Sequence, residues 1–435
     1  MGTRRANTLT RLAASTLRGV GHAHPGSNQL TKVLQAAGRV MRHLNLANRA
    51  WSRYYVHMQT RARRLLAVAL LVALGTGVLA ACAKPTSSTA RTIRVMTQNL
   101  YLGANLQPLL GATGPDLVTR AAAAYAHMHQ VDFPARAQAL ARLIAREHPD
   151  VAGLQEVARW QKLHADTSGT WTAVETVDYL PILLAALRDH GLSYRAVAED
   201  TEFSNAARPL PITLDGRTAA TFTDRDVILA RNDVPGSQLG TDNPTSRQFT
   251  AKITVPAPGG GTVAIPRGWS TTDVTVHGAS FRIANTHLEA SSPRGVCVNG
   301  APSLQPPYVR NQQAAELAAS LKTSPLPVIL LGDLNALPTE ACDALPILLH
   351  AGLADAWAQA MLGLPANTAG QTDDLNNVPS RLDHQVDYVL DSRAGGVDPV
   401  PLTGVVVGGG EADRTPSGLW PSDHAGMAIS LHRTK

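Results

Sequence analysis

From residue 93 to the C-terminus, short β-branched runs alternate with longer stretches of helical periodicity, and no other feature restricts the fold as strongly. A helix bundle has no use for a run such as Val328-Ile329-Leu330-Leu331, and an all-β sandwich has no place for the helical stretches between such runs. An α/β domain is expected. Strands are predicted at Ile93 to Gln98, Val151 to Gln155, Val227 to Ala230, Phe281 to Asn285, Val328 to Leu331, Val386 to Leu390 and Gly426 to Leu431. Helices are predicted at Pro134 to Glu147, Pro181 to Asp189 and Val309 to Lys322. In the first of these Pro134 suits an opening turn, and Ala137, Leu140, Leu143 and Ile144 form an apolar stripe. The segments ITVPAPGGGTVAIP and DVTVHG, between Ile253 and His277, read as hairpin strands around a Gly-rich turn, so antiparallel pairing is mixed in. Polar stretches at 157–176, 200–221, 232–247, 291–307 and 363–380 are expected to be loops decorating one rim.

Charge is divided unevenly along the chain. Residues 1–81 hold 12 of the 39 Lys and Arg and none of the 33 Asp and Glu. The remainder therefore carries 27 bases against 33 acids, a net charge of −6, although the whole chain stands at +6. A basic nucleic-acid-binding surface is thus not implied by the total. With 44% apolar residues the chain can build a sizeable core, which excludes a long disordered protein and a disulfide-rich miniprotein.

Met58 opens what reads as an export leader. Arg61, Arg63 and Arg64 form a positive segment, and the 17 residues from Leu65 to Ala81 carry no charge, short for a spanning helix and suited to a signal peptide. Leu79-Ala80-Ala81-Cys82 resembles the lipobox of bacterial lipoproteins, in which the cysteine is lipidated and becomes the first mature residue. The expected organisation is a spurious or unstructured extension at 1–57, a signal peptide at 58–81, a lipidated cysteine and tether at 82–92, and one catalytic domain at 93–435. The expected location is the bacterial cell envelope, with a membrane anchor through Cys82; secretion is the alternative. Cys297 and Cys342 remain as an even pair in an oxidising compartment, where a disulfide is expected. No segment points to an obligate protein partner.

Most of the predicted strands end in polar groups used in metal and phosphate chemistry. The first ends at Asn99, the second at Gln155-Glu156, and Phe281 to Asn285 runs into Thr286-His287-Leu288-Glu289. Val328 to Leu331 leads to Gly332-Asp333-Leu334-Asn335, and Ser422-Asp423-His424 precedes the last strand. Asp387 lies inside an apolar run, where an unpaired carboxylate costs several kcal/mol, so a cation or donor is expected beside it. Each group alone has an ordinary account: a turn residue, a helix cap, an Asx turn, a satisfied structural histidine. Independent turns, however, do not select this order of carboxylates, amides and imidazoles.

In that order the segments TQNL (97–100), LQE (154–156), NTHLE (285–289), GDLNA (332–336), VDYVL (386–390) and SDH (422–424) resemble the endonuclease/exonuclease/phosphatase superfamily. The resemblance covers about residues 93 to 433, and GDLNA and SDH are its most specific parts. It implies a four-layer α/β sandwich of the DNase I type, two mixed sheets packed face to face with helices outside and the site at one end. Two departures stand out. Gln385 occupies a place where family members often carry Arg, and the stretch from Leu102 to Val131 has no assignable motif.

The resemblance implies a metal-dependent phosphoesterase, with phosphodiester cleavage by activated water favoured. Glu156 is the first metal ligand, with Asn99 beside it and Asp423 closing the shell; hard oxygen donors fit Mg²⁺ or Mn²⁺, and no Cys or His cluster has zinc spacing. Asp333 orients or deprotonates the attacking water, and Asn335 holds that water and a phosphate oxygen. His424 donates to the phosphoryl oxygens or takes the water's proton, with Asp423 fixing its tautomer. His287 stabilises developing charge or assists the leaving group, and Asp387 supports the second imidazole or the metal side. The phosphate-ester substrate stays open between lipid, nucleic acid and small molecule. An acidic domain with few aromatics disfavours DNA, a membrane anchor favours a lipid, with Trp269 as a core residue or an interfacial contact, and inositol-type phosphomonoesters would need arginines such as Arg294, Arg310, Arg381 and Arg414, each expected as solvated surface charge. The competing reading is a non-catalytic envelope lipoprotein that keeps the fold as a binding module.

Overall fold

In the computed structural model, residues 92–361, 363–392 and 399–433 are described. The expected extension, signal peptide and lipidated Cys82 lie outside these residues.

Two mixed β-sheets carry the domain. The first has nine strands, ordered along its main path Pro399–Val407, Gly426–Arg433, Thr92–Asn99, Val151–Gln155, Thr218–Arg231, Arg159–Ala165 and Trp171–Asp178. The second has six, ordered Leu353–Asp355, Asp387–Ser392, Val328–Asp333, Ala279–His287, Gly268–Val276 and Leu239–Gln248. The sheets face each other across a core in which Ile93, Val95, Val151 and Ile228 of the first meet Phe281, Ile283, Ile329 and Val389 of the second. Helices Phe133–Glu147 and Tyr179–Asp189 cover the outer face of the first sheet, and Val309–Leu321 and Ala344–His350 that of the second. These are the four layers of a DNase I-like α/β sandwich.

Local chemistry explains the boundaries. The Asp132 side chain accepts a hydrogen bond from the Ala135 amide, Pro134 sits in the first turn, and His148 ends the helix at φ 46°. Between the sheets, Gln155 Nε2 donates to Asn285 Oδ1 at 2.7 Å and Asn285 Nδ2 donates to the Leu154 carbonyl at 3.0 Å. The close approach requires Gly153, since a Cβ there would lie 2.5 Å from Asn285 Oδ1 and 2.8 Å from Leu331 Cβ.

Several expected loops are not loops. Within 157–176, Arg159–Ala165 and Trp171–Asp178 pair antiparallel; strand Tyr194–Ser204 extends into 200–221, and Thr218–Arg231 begins inside it. Strand Leu239–Gln248, which overlaps 232–247, is an edge strand exposed along most of its length, where Pro244 is tolerated because it falls at a bulge in the register and one side of the ladder stays open. The unassigned stretch from Leu102 to Val131 contains helix Gly114–Gln130, with Pro115 in its first turn and Leu117, Ala121, Ala124 and Met128 buried. Trp269 is core, 4% exposed and packed on Phe249. Cys297 and Cys342 are bonded, their Cα atoms 5.1 Å apart, as expected.

Candidate active site

Strand pairing gathers the polar ends at one edge. Thr92–Asn99 runs parallel to Val151–Gln155 with Asn99 opposite Gln155, so Asn99 and Glu156 leave the first sheet side by side. Ala279–His287 runs parallel to Val328–Asp333 with His287 opposite Asp333, and Asp333 in turn pairs antiparallel with Asp387. The last strand begins at Gly426 beside the end of the first, Thr97 opposite Met427, which brings Asp423 and His424 to the same place. Residues spread over more than three hundred positions therefore converge by register.

Side-chain contacts close the cluster. Asn99 Nδ2 donates to Glu156 Oε1 and to Asp333 Oδ2, each at 3.2 Å, while its Oδ1 accepts from the Tyr101 amide at 2.9 Å. Glu156, at φ 55°, also accepts from the Leu102 amide at 2.6 Å. Asp333 Oδ1 accepts from the Asn335 amide at 2.9 Å, and Asn335 Nδ2 donates to the Leu288 carbonyl at 3.0 Å. His287 Nε2 lies 3.6 Å and His424 Nδ1 3.8 Å from Asp333 Oδ2. His424 Nδ1 donates to Asp387 Oδ2 at 2.9 Å, which supplies the donor expected beside Asp387. Asp387, rather than the adjacent Asp423, is the carboxylate hydrogen-bonded to this imidazole; Asp423 accepts instead from Ser422 Oγ at 3.2 Å.

Burial and proximity set the charges. Burial, and then the neighbouring Asp387, push the Asp333 carboxyl up to about 7. Burial alone would lower His424, but Asp387, Asp423 and Asp333 outweigh it and hold the imidazolium well above the usual range. His287 goes the other way: burial, then Arg267 and His424, keep it neutral. Arg267 Nη1 donates to His287 Nδ1 at 3.0 Å, so the ring's proton sits on Nε2, facing Asp333. Glu156 and Asp423 are both raised, burial first; the Asp423 charge adds to the rise at Glu156, and His424 opposes it at both.

A family profile described as the Endonuclease/Exonuclease/phosphatase family matches residues 96–424. The chain belongs to this family. Membership brings it among phosphoester hydrolases. An endonuclease/exonuclease/phosphatase family protein from Bacteroides thetaiotaomicron is 17% identical, with 78% of this chain and 97% of that chain covered and a TM-score of 0.45. Humanized D. rerio TDP2 is 16% identical over 80% of this chain and 100% of that chain, TM-score 0.45. A Bacteroides thetaiotaomicron mannosyl-6-phosphatase is 17% identical over 78% and 99%, TM-score 0.43. No curated protein matches the chain.

Two arginines of this endonuclease/exonuclease/phosphatase domain escaped the sequence reading. Arg267 stands among Glu202, Asp224 and Glu289, with nitrogen–oxygen distances of 3.6, 3.5 and 3.9 Å, and fixes the His287 tautomer. Arg136 is fully buried and donates to the carbonyls of Val131, Leu100, Pro421 and Tyr101 at 2.6–3.2 Å. It ties the turn after Asn99 to the segment before Asp423. Its signal was present in the sequence: residue 136 shares a helix face with Leu140 and Leu143, and a charge in an apolar stripe calls for partners. Of the four arginines expected on the surface, Arg294 and Arg381 are exposed. Arg310, by contrast, is 2% exposed and held bidentate by Asp343 at 2.9 and 2.8 Å, and Arg414 stacks on Trp420 at 4.8 Å.

Proposed function

We propose that this chain is a divalent-metal-dependent phosphoesterase that cleaves a phosphodiester by in-line attack of water. The observation that carries the reading is the convergence on Asp333, whose Oδ2 lies 3.2 Å from the Asn99 amide nitrogen, 3.6 Å from His287 Nε2 and 3.8 Å from His424 Nδ1, in surroundings whose burial pushes the carboxyl up to about 7. A base works best when its pKa lies near the working pH. Asp333 takes the water's proton, with its Oδ1 fixed by the Asn335 amide. His424, held cationic by Asp387, donates to a phosphoryl oxygen as charge builds there, and neutral His287 donates from Nε2. Asn335 orients water and phosphate at the mouth, and Asn99 spaces Glu156 from Asp333.

The residues present fit a cation. Glu156 and Asp423 line one cavity, and each is strained toward the protonated form. A dication between them would reverse that tendency. Asp333, Asp387 and His424 also offer ligand atoms within 4.8 Å of one another, but His424, held as an imidazolium by Asp387, is protonated on both nitrogens and has no lone pair for a metal, so Glu156 and Asp423 are the better holders, with Asn99 adjacent. Bound there, Mg²⁺ or Mn²⁺ would neutralise phosphoryl charge and lower the pKa of water. Turnover of bis-p-nitrophenyl phosphate is expected in Mg²⁺, to vanish in EDTA and to return with Mg²⁺ or Mn²⁺; full activity in chelator rejects the metal.

Attachment to the cell envelope through Cys82 belongs to the same reading, supported by the uncharged run that ends at that cysteine. Cys82→Ser should shift the expressed protein from the membrane fraction to the soluble one, and unchanged fractionation would refute the anchor.

A further inference from the structure

A cavity of about 670 Å³ opens beside Glu156 and Asp423. That size is within the range of small-molecule sites, about 300–1,000 Å³. Three of its walls are apolar, and they come from four separate parts of the chain.

One wall is the hairpin Ile253–Pro256 with Thr262–Ile265, which belongs to neither main sheet. Its side chains alternate strictly. Ile253, Val255, Val263 and Ile265 are half-buried and line the cavity, whereas Thr254, Pro256 and Ala264 are exposed and do not, and the exposed Thr262 reaches its edge. Register places Val263 opposite Val255 and Ile265 opposite Ile253, so the four make one continuous patch. The second wall is aromatic: Trp160 and Phe222 lie with ring centroids 4.8 Å apart, and both face the cavity. The third is Leu106 and Leu109, from the segment after the first strand.

Charge decides what can enter. Six acids line the cavity, Glu156, Glu202, Asp224, Glu289, Asp373 and Asp423, against two arginines, Arg208 and Arg267. Arg267 is already shared among three of those acids. With a dication held by Glu156 and Asp423 there is positive charge for one phosphoryl group at the mouth, and beyond it the lining offers only the exposed Arg208 as a cation not already shared with acids. A polyanion would meet surplus carboxylate, and a hydrocarbon would meet surface already suited to it.

We propose that the cavity holds the hydrocarbon chain of a lipid-type phosphoester, an ester of an alkyl alcohol whose single phosphoryl group lies at the Glu156 and Asp423 end. This rests on the phosphoesterase reading and names its substrate class. The four hairpin side chains are then the specificity-determining surface, and Trp160 with Phe222 forms the floor under the chain.

Binding of alkyl phosphonates tests this without needing turnover. Methyl-, butyl- and octylphosphonate are titrated into the full chain in Mg²⁺ by calorimetry, each below its aggregation concentration. Burial of a methylene is expected to tighten Kd by about two- to fourfold until the cavity is full, so octylphosphonate should bind at least 100-fold more tightly than methylphosphonate. In the double variant V255D/V263D that advantage should fall below tenfold. Both positions are half-exposed on a separate hairpin, and the variant's melting curve checks that it folds. If it does not fold, F222A and the wild-type chain-length series carry the test. Equal Kd values along the series overturn the proposal, as does tighter binding of an eight-nucleotide single-stranded DNA than of octylphosphonate. Chain-length-dependent binding together with no hydrolysis of bis-p-nitrophenyl phosphate would keep the cavity's ligand class and reject the phosphoesterase reading instead.

Discussion

Asp333→Asn lowers kcat for bis-p-nitrophenyl phosphate by about 10²–10⁴-fold, the usual contribution of a positioned base. The substitution keeps the shape and the Oδ1 acceptor for the Asn335 amide, removes the capacity to take a proton, and exchanges the Oδ2 acceptor of the Asn99 amide for a donor. Wild-type kcat should rise with pH through about 7, where the buried carboxyl ionises, and this acid limb should disappear in the variant. Stability supplies the control. A carboxyl whose folded pKa stands above its unfolded value favours the native state when protonated, so that contribution fades as pH rises from the ordinary carboxylate range through about 7. Asp333→Asn carries no such penalty, and its Tm at pH 8 should stay close to wild type. Unchanged kcat with a depressed Tm would make Asp333 a structural residue and remove the basis of the mechanism.

The largest effect on folding is expected at Arg136. Its guanidinium serves four carbonyls and lies over the rings of Phe133, Tyr101 and Tyr179 at 5.0, 5.6 and 5.8 Å. Arg136→Met fills much of the volume and leaves those carbonyls unpaired, at about 1–3 kcal/mol for each buried group. Against a total stability of about 5–15 kcal/mol, the variant should melt at least roughly 10 °C lower or fail to accumulate as soluble protein. Arg136→Lys should rescue little, because one ammonium cannot reach carbonyls arranged around a planar fork. Loss of the cation also pushes the Asp423 carboxyl further upward, since Arg136 is one of the charges restraining it. Thermal melts of both variants beside wild type check this, and a lysine variant as stable as wild type would show that charge alone, without the fork, suffices.

The parts of the fold that were legible are those written in short contiguous patterns. Val151 to Leu154 and Val328 to Leu331 are unbroken apolar runs because they are buried on both faces, and such runs announce a central strand without further context. Asn99, Glu156, His287, Asp333, Asp387, Asp423 and His424 stood out because each is a polar residue at a place where the local pattern favours an apolar one or a plain turn. Leu239–Gln248 was missed for the opposite reason. It is a strand held by one neighbour and open to water, so its composition is that of a loop. Arg267 has no local signature at all: its partners His287, Glu202 and Asp224 lie 20 to 65 residues away and meet it only once the sheets are assembled. The pairing of His424 with Asp387 over 37 residues was hidden in the same way, behind the nearer but unbonded Asp423.

The antiparallel pairing of Thr92–Asn99 with Gly426–Arg433 sets Thr92 opposite His432, while Asn99 and Gly426 lie at the catalytic end. Thr92 and His432 thus lie side by side at the opposite end of these strands, about 25 Å from the chemistry at the strand rise per residue. A bead, a surface or a fluorescent carrier joined beyond His432 would be attached at the strand end away from the reaction centre.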